Sequence, residues 1–165
     1  MHPSPRELLH LLAQARSEEL GSARQLELLG TLRQRCPAFV PALLLESRAE
    51  LWSKEDAGST EAAFAEIERM LREAVEVSHR TPEALMELAR FESVVRGSPT
   101  AAEALYREAS TRALAGLEEA WAGLIESLGE QDKTDEARQV ADRARQLFPD
   151  SKPITEAIQF ARLGD

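Results

Sequence analysis

At 165 residues, 43% hydrophobic and 30% charged but only 5% aromatic, the chain has the size of one domain and a makeup led by strong helix formers, which points to an all-α fold. A formal net charge of -9 repels phosphate polymers and anionic headgroups, so neither nucleic acid nor a membrane surface is expected as a partner. The single Cys36 excludes an internal disulfide and any multi-cysteine metal site, and fits a reducing compartment.

The opening "MHPSPRELLHLLAQARSEEL" lacks the basic start and unbroken apolar core of a secretory signal, because His10, Gln14 and Arg16 interrupt it, and a cytoplasmic location is expected. The first helix is announced at Ser4-Pro5-Arg6-Glu7, where Ser can cap, Pro can open the first turn and Glu can reach back to an orphan N–H. Ser22-Ala23-Arg24-Gln25 and Thr100-Ala101-Ala102-Glu103 repeat that box. Pro41, Thr81-Pro82, Thr134 followed by Asp135 and Glu136, and Ser151-Lys152-Pro153 mark further starts.

These signals predict nine helices: 5 to 19, 23 to 35, 41 to 53, 60 to 78, 82 to 96, 100 to 114, 118 to 130, 135 to 147 and 153 to 162. The connections are short and polar, which makes successive helices antiparallel neighbours. Starts near 5, 41, 82, 118 and 153 recur about every 35 residues, with one longer interval whose surplus falls in "SKEDAGST", residues 53 to 60. Two helices per unit at such a period indicate a helical solenoid.

In "EEAWAGLIESLGEQDKTDEARQVADRARQLFP", Trp121, Leu124, Leu128, Ala137, Ala141, Ala144 and Pro149 stand at spacings that resemble the tetratricopeptide repeat (TPR) family. Departures are Ile125, Leu128 and Ala141, where the family prefers a small residue, a Tyr and an aromatic. The unit 82 to 115 is similar through Leu85, Leu88, Ala89, Ala102, Tyr106 and Ala109, and its "LARFESVVRG" also resembles the half-a-TPR repeats of RNA-processing proteins. The unit 5 to 37 fits through Leu9, Leu12, Leu29, Leu32 and Pro37, and the unit 41 to 80 through Leu44, Leu51, Ala63 and Ile67. The resemblance implies one domain over 1–165: a right-handed superhelix of about four TPR-like helix pairs (5–37, 41–80, 82–115, 118–151), capped by a helix at 153–162. Leu8, Leu9, Leu11 and Leu12 make an apolar face that suits a solenoid cap or a homodimer contact, the cap being favoured.

Catalytic parts are not found. His2, His10 and His79 lie in separate segments, no phosphate-cradling Gly-rich loop or nucleophile elbow occurs, and pairs such as Glu118-Glu119 and Asp135-Glu136 read as solvated faces or first-turn dipole partners. Neither a metal nor a cofactor is expected. Gly21, Gly97 and Gly129 read as caps.

The resemblance implies a non-enzymatic adaptor or scaffold, in which first helices line a groove that receives a partner's peptide or helix. Its matching positions are Glu7, His10 and Gln14; Leu45, Ala49 and Trp52; Met86, Arg90 and Val94; and Glu119, Ala122, Glu126 and Glu130. An apolar floor and an acidic C-terminal wall suggest a basic or amphipathic protein segment as partner. Trp52 shares a face with Leu44, Leu45, Arg48 and Leu51 and is expected to pack on the next helix, while Trp121 is read as core. An RNA-processing scaffold is the alternative, and an enzyme of unrecognised class the remote one.

Overall fold

The computed structural model describes residues 3–55 and 61–163. Among them are eight α-helices and no strand: α1 (Pro5–Ser17), α2 (Ala23–Arg35), α3 (Val40–Glu55), α4 (Glu61–Val77), α5 (Pro82–Val94), α6 (Pro99–Glu130), α7 (Thr134–Leu147) and α8 (Lys152–Phe160). They form two compact units, Met1–Ala109 and Ser110–Asp165, divided inside α6.

Several starts follow the local chemistry of the sequence. Ser4 Oγ accepts from the Glu7 N–H at 3.2 Å while the Glu7 carboxylate accepts from the Ser4 N–H at 3.0 Å, a complete capping box. At α2 the box is only half made. Ser22 Oγ accepts from the Gln25 N–H, but the Gln25 amide turns away to accept from the Gly21 N–H at 2.9 Å and to donate to the Ala15 carbonyl at 2.8 Å, tying α2 to the end of α1. Thr100 lies within the first turn of α6 rather than at its cap, since that helix begins at Pro99. Thr134 likewise opens α7 from inside, behind Lys133.

The sixth and seventh predicted helices are one. Between 114 and 118 there is no Pro, and no Ser, Thr, Asp or Asn to cap a new start, so Gly116 is the only breaker; a lone Gly costs about 1 kcal/mol in a helix, too little to stop it. The helix therefore runs unbroken for 32 residues. The surplus segment 53 to 60 is shorter than expected at its start, because α3 continues through Glu55; the rest of it lies outside the described residues.

In the first unit, α1 packs on α2, α2 on α3, α3 on α4 and α4 on α5, and α3 also touches α5. Two apolar cores result. Leu8, Leu12, Leu28, Leu29, Leu32 and Ala49 close α1 to α3, with Leu11 packed against them; Ile67, Met70, Leu71, Leu85, Leu88, Phe91 and Ala109 close α4, α5 and the start of α6. Each fully buried Leu or Ile contributes about 1.5–3 kcal/mol. Leu9, assigned inward from the repeat pattern, is instead 59% exposed. Gly21 joins α1 to α2 with φ +78°, and a Cβ there would stand 3.1 Å from the backbone of both Ala49 and Ser53, so any larger residue would strain the turn against α3.

In the second unit, Ala137, Ala141 and Ala144 of α7 admit Ile125 and Leu128 of α6 together with Ile154, Ala157 and Ile158 of α8. Trp121 is packed against this core, as expected, whereas Leu124 points outward at 46% exposure. In the first unit Tyr106 is also an outward pattern position. A Cβ at Gly129 would collide with Ala161 at 2.6 Å, so this glycine is a close-approach site rather than a cap.

Glu46 is the least settled group in the first unit. It is 3% exposed, its Oε2 has no hydrogen-bond partner, and Arg33 reaches its other oxygen at only 3.5 Å. Burial pushes its carboxyl above the ordinary glutamate range, against the pull of Arg33. Because the folded state holds this proton more tightly, the site is most favourable below the ordinary glutamate pKa and loses stability as pH rises through the raised value. Glu46→Gln is therefore expected to raise stability by about 1 kcal/mol at pH 7, with the gain vanishing near pH 4, in urea melts across that range. Gly116→Ala, with no atom within 4 Å of the new Cβ, is expected to stabilise by about 0.5–1 kcal/mol; a loss of stability would mean a turn at 116.

Candidate functional site

The α3–α5 face of the first unit combines two clefts with a cluster of two arginines on one carboxylate. On α3, Leu44, Ser47, Arg48 and Leu51 fall at helical spacing on one side; on α5, Glu83, Glu87, Arg90, Phe91 and Val94 do the same. Two clefts lie along this face. One of about 110 Å³ is lined by Leu51, Leu71, Phe91, Val94 and Val95, with Ser47, Arg48, Glu87 and Arg90 at its polar side. The other, about 390 Å³, lies among Val40, Pro41, Leu44, Leu45 and Thr81, with Arg16, Arg48 and Glu83.

The two clefts share Arg48, and a two-arginine clasp fixes it. Glu87 is 8% exposed, and its carboxylate accepts from Arg48 Nε at 3.1 Å and from Arg48 Nη2 in a bidentate pair. Arg90 Nη1 donates to the same carboxylate at 3.2 and 3.3 Å from one turn further on. The Glu87 hydrogen bond is the main cause that raises the Arg48 pKa, so Arg48 stays charged throughout any working pH. Ser47 Oγ is turned back onto the Leu43 carbonyl at 2.8 Å and is satisfied within its own helix.

The expected groove residues divide by unit. In the first, Leu45 is half-buried beside the larger cleft, and Met86 and Val94 are 41% and 77% exposed along α5, with Arg90 between them. Ala49 is fully buried in the α1–α3 core and presents no surface. Trp52 corrects the expectation of packing on the next helix: it is 57% exposed at the end of α3, with its indole edge toward Gly21. On α1, Glu7 is held in its capping box, while His10 and Gln14 bond each other at 3.2 Å. In the second unit, Ala122 is buried in the core, Glu126 is half-buried, and Glu119 and Glu130 are exposed.

Arg16, Glu87, Leu71 and Phe91 were not among the expected groove residues, nor was Arg48 given a role there. The signal for Arg48 is a cation on an otherwise apolar stripe, but its partner lies 39 residues away, beyond the reach of helical periodicity. Among the described residues no group of three or more His, Cys, Asp or Glu side chains could hold a metal ion, and no helix is long and apolar enough to cross a membrane.

Helices packed in succession, with buried alanines where they meet, define a helical repeat protein. Residues 1–79 match the Myxococcota tetratricopeptide repeat protein family, and the chain is a TPR-like repeat protein. It is also 45% identical over 161 residues, 98% of its own length and 95% of the relative's, to a Myxococcus xanthus protein named "Uncharacterized 18.1 kDa protein in carS 3'region". No solved structure matches it.

The clasp makes unequal demands on its members. Glu87→Gln removes the buried carboxylate that both exposed arginines hold and is expected to cost about 1 kcal/mol, whereas Arg90→Ala leaves the bidentate pair intact and costs less than about 0.5 kcal/mol. Chemical denaturation of the two variants checks that order.

Proposed function

We propose that the chain is a non-enzymatic interaction module, a cytoplasmic adaptor or scaffold of solenoid form, whose α3–α5 face receives an amphipathic helical segment of a partner protein. The observation that carries this reading is exposed Val94 on the wall of the apolar cleft over Leu51, Leu71 and Phe91, with Met86 exposed two turns earlier on the same helix. Side chains spaced at i, i+3, i+4 and i+7 on a partner helix would place their apolar face against this strip, with Arg90 as a polar rim. Exposed apolar surface beside a cleft, rimmed by charge, is what a helix-in-groove contact requires. The match to a tetratricopeptide repeat family supports the same conclusion.

Met86 and Val94 are surface positions, so polar replacement should leave the fold intact. Met86→Glu and Val94→Glu are each expected to lower partner recovery at least tenfold in affinity capture from the native cell, with circular dichroism and melting temperature unchanged. Full recovery by both variants would remove the groove assignment.

A further inference from the structure

We infer that the α3–α5 face selects an acidic amphipathic segment, its side-chain carboxylates taken by Arg16, Arg48 and Arg90 and its apolar side chains by the cleft over Leu71 and Phe91. This rests on the reading of that face as a partner groove and adds the sign of the charge that enters it.

The first observation is placement. One guanidinium comes from each of α1, α3 and α5: Arg16 and Arg48 line the larger cleft together, and Arg48 and Arg90 the smaller. The carboxylates on the same face are Glu83 at the edge of the larger cleft and Glu87. Glu87 is buried and already held by both Arg48 and Arg90, so it cannot meet a ligand. Local charge on this face is thus positive, on a chain whose total is -9.

The second observation is the balance of each shared carboxylate. Glu66 accepts from both Arg33 and Arg69, but Arg33 also reaches Glu46 and Arg69 also reaches Glu73. Glu68 accepts from both Arg72 and Arg96, but Arg72 also reaches Glu92 and Arg96 also reaches Glu61. At those two sites every guanidinium has two carboxylates. Arg48 and Arg90 have Glu87 alone, and Arg16 has no carboxylate partner among the described residues. Arg48 keeps Nη1 for a further acceptor, and Arg90 keeps Nε and Nη2.

A guanidinium with spare in-plane donors beside an apolar cleft matches a carboxylate next to an apolar side chain, and repels Lys or Arg placed there. The expectation of a basic or amphipathic partner drew its charge from Glu119, Glu126 and Glu130, which belong to the second unit; the first unit's face has the opposite sign.

The test is a selection of 16-residue random peptides displayed on phage against the full-length chain, each binder then synthesised with a blocked N-terminus and an amidated C-terminus and titrated by calorimetry. The expected binders combine Leu, Ile or Phe at helical spacing with an excess of Asp and Glu. Their affinity should fall three- to tenfold with Arg16→Gln or Arg90→Gln, at least tenfold with Arg16→Glu, and markedly as salt is raised. Circular dichroism of each variant separates lost contact from lost fold. Binders that are basic or uncharged yet still abolished by Val94→Glu would overturn the charge assignment and leave the groove standing. Binders indifferent to Val94→Glu, or no binders at all, would overturn the groove itself and the proposal with it.

Discussion

Apolar side chains on a helix have to be buried, and in the first unit α2, α3 and α4 each bury theirs against two or more neighbours, so the chain advances by stacking one helix on the next. From that constraint the rest follows. With α4 packed on both α3 and α5, those two are drawn close enough to touch along a seam rather than share a full core. Leu44 and Leu51 of α3 and Phe91 and Val94 of α5 reach the seam without filling it, and a pair of clefts remains, with Leu71 of α4 in the wall of one.

Charge then decides how each seam is finished. Arg33 crosses from α2 to Glu46 and Glu66, Arg72 from α4 to Glu92, Arg48 from α3 to Glu87 and Arg80 from the α4–α5 turn to Glu108, at 2.5–2.7 Å in the last case. Such half-exposed pairs add little stability individually, about 0–1 kcal/mol, but they fix which residues face each other across a seam. The cost shows where pairing is incomplete. Glu46 is buried with one oxygen unserved, and its neighbour Arg33 is shared with Glu66. At the α3–α5 seam the imbalance has the other sign, with two guanidiniums on one carboxylate, and there it faces open clefts.

Much of this fold is legible in the sequence because its signals are local. Ser4, Ser22, Pro82 and Ser151 open helices through chemistry confined to four residues, and Ala137, Ala141 and Ala144 declare a close-packed face by their spacing. The failures are equally physical. The repeat period places a boundary between 114 and 118, although no capping residue stands there, and the helix runs through it. Trp52 shares an apolar face with Leu44 and Leu51, but it sits a turn from the end of α3 and is left largely exposed there. The Arg48–Glu87–Arg90 clasp joins residues on two helices, so no periodicity within either one reports it; only the stacking order of α3, α4 and α5 brings them together.

The claim that the α3–α5 face is where a partner sits is tested most directly by site-specific photo-crosslinking in the native cell. A benzophenone amino acid at Val94, exposed at the rim of the smaller cleft, should yield a discrete protein adduct, and the same group at Glu76, exposed on α4, should not. Adducts from position 76 with none from position 94 would contradict the account.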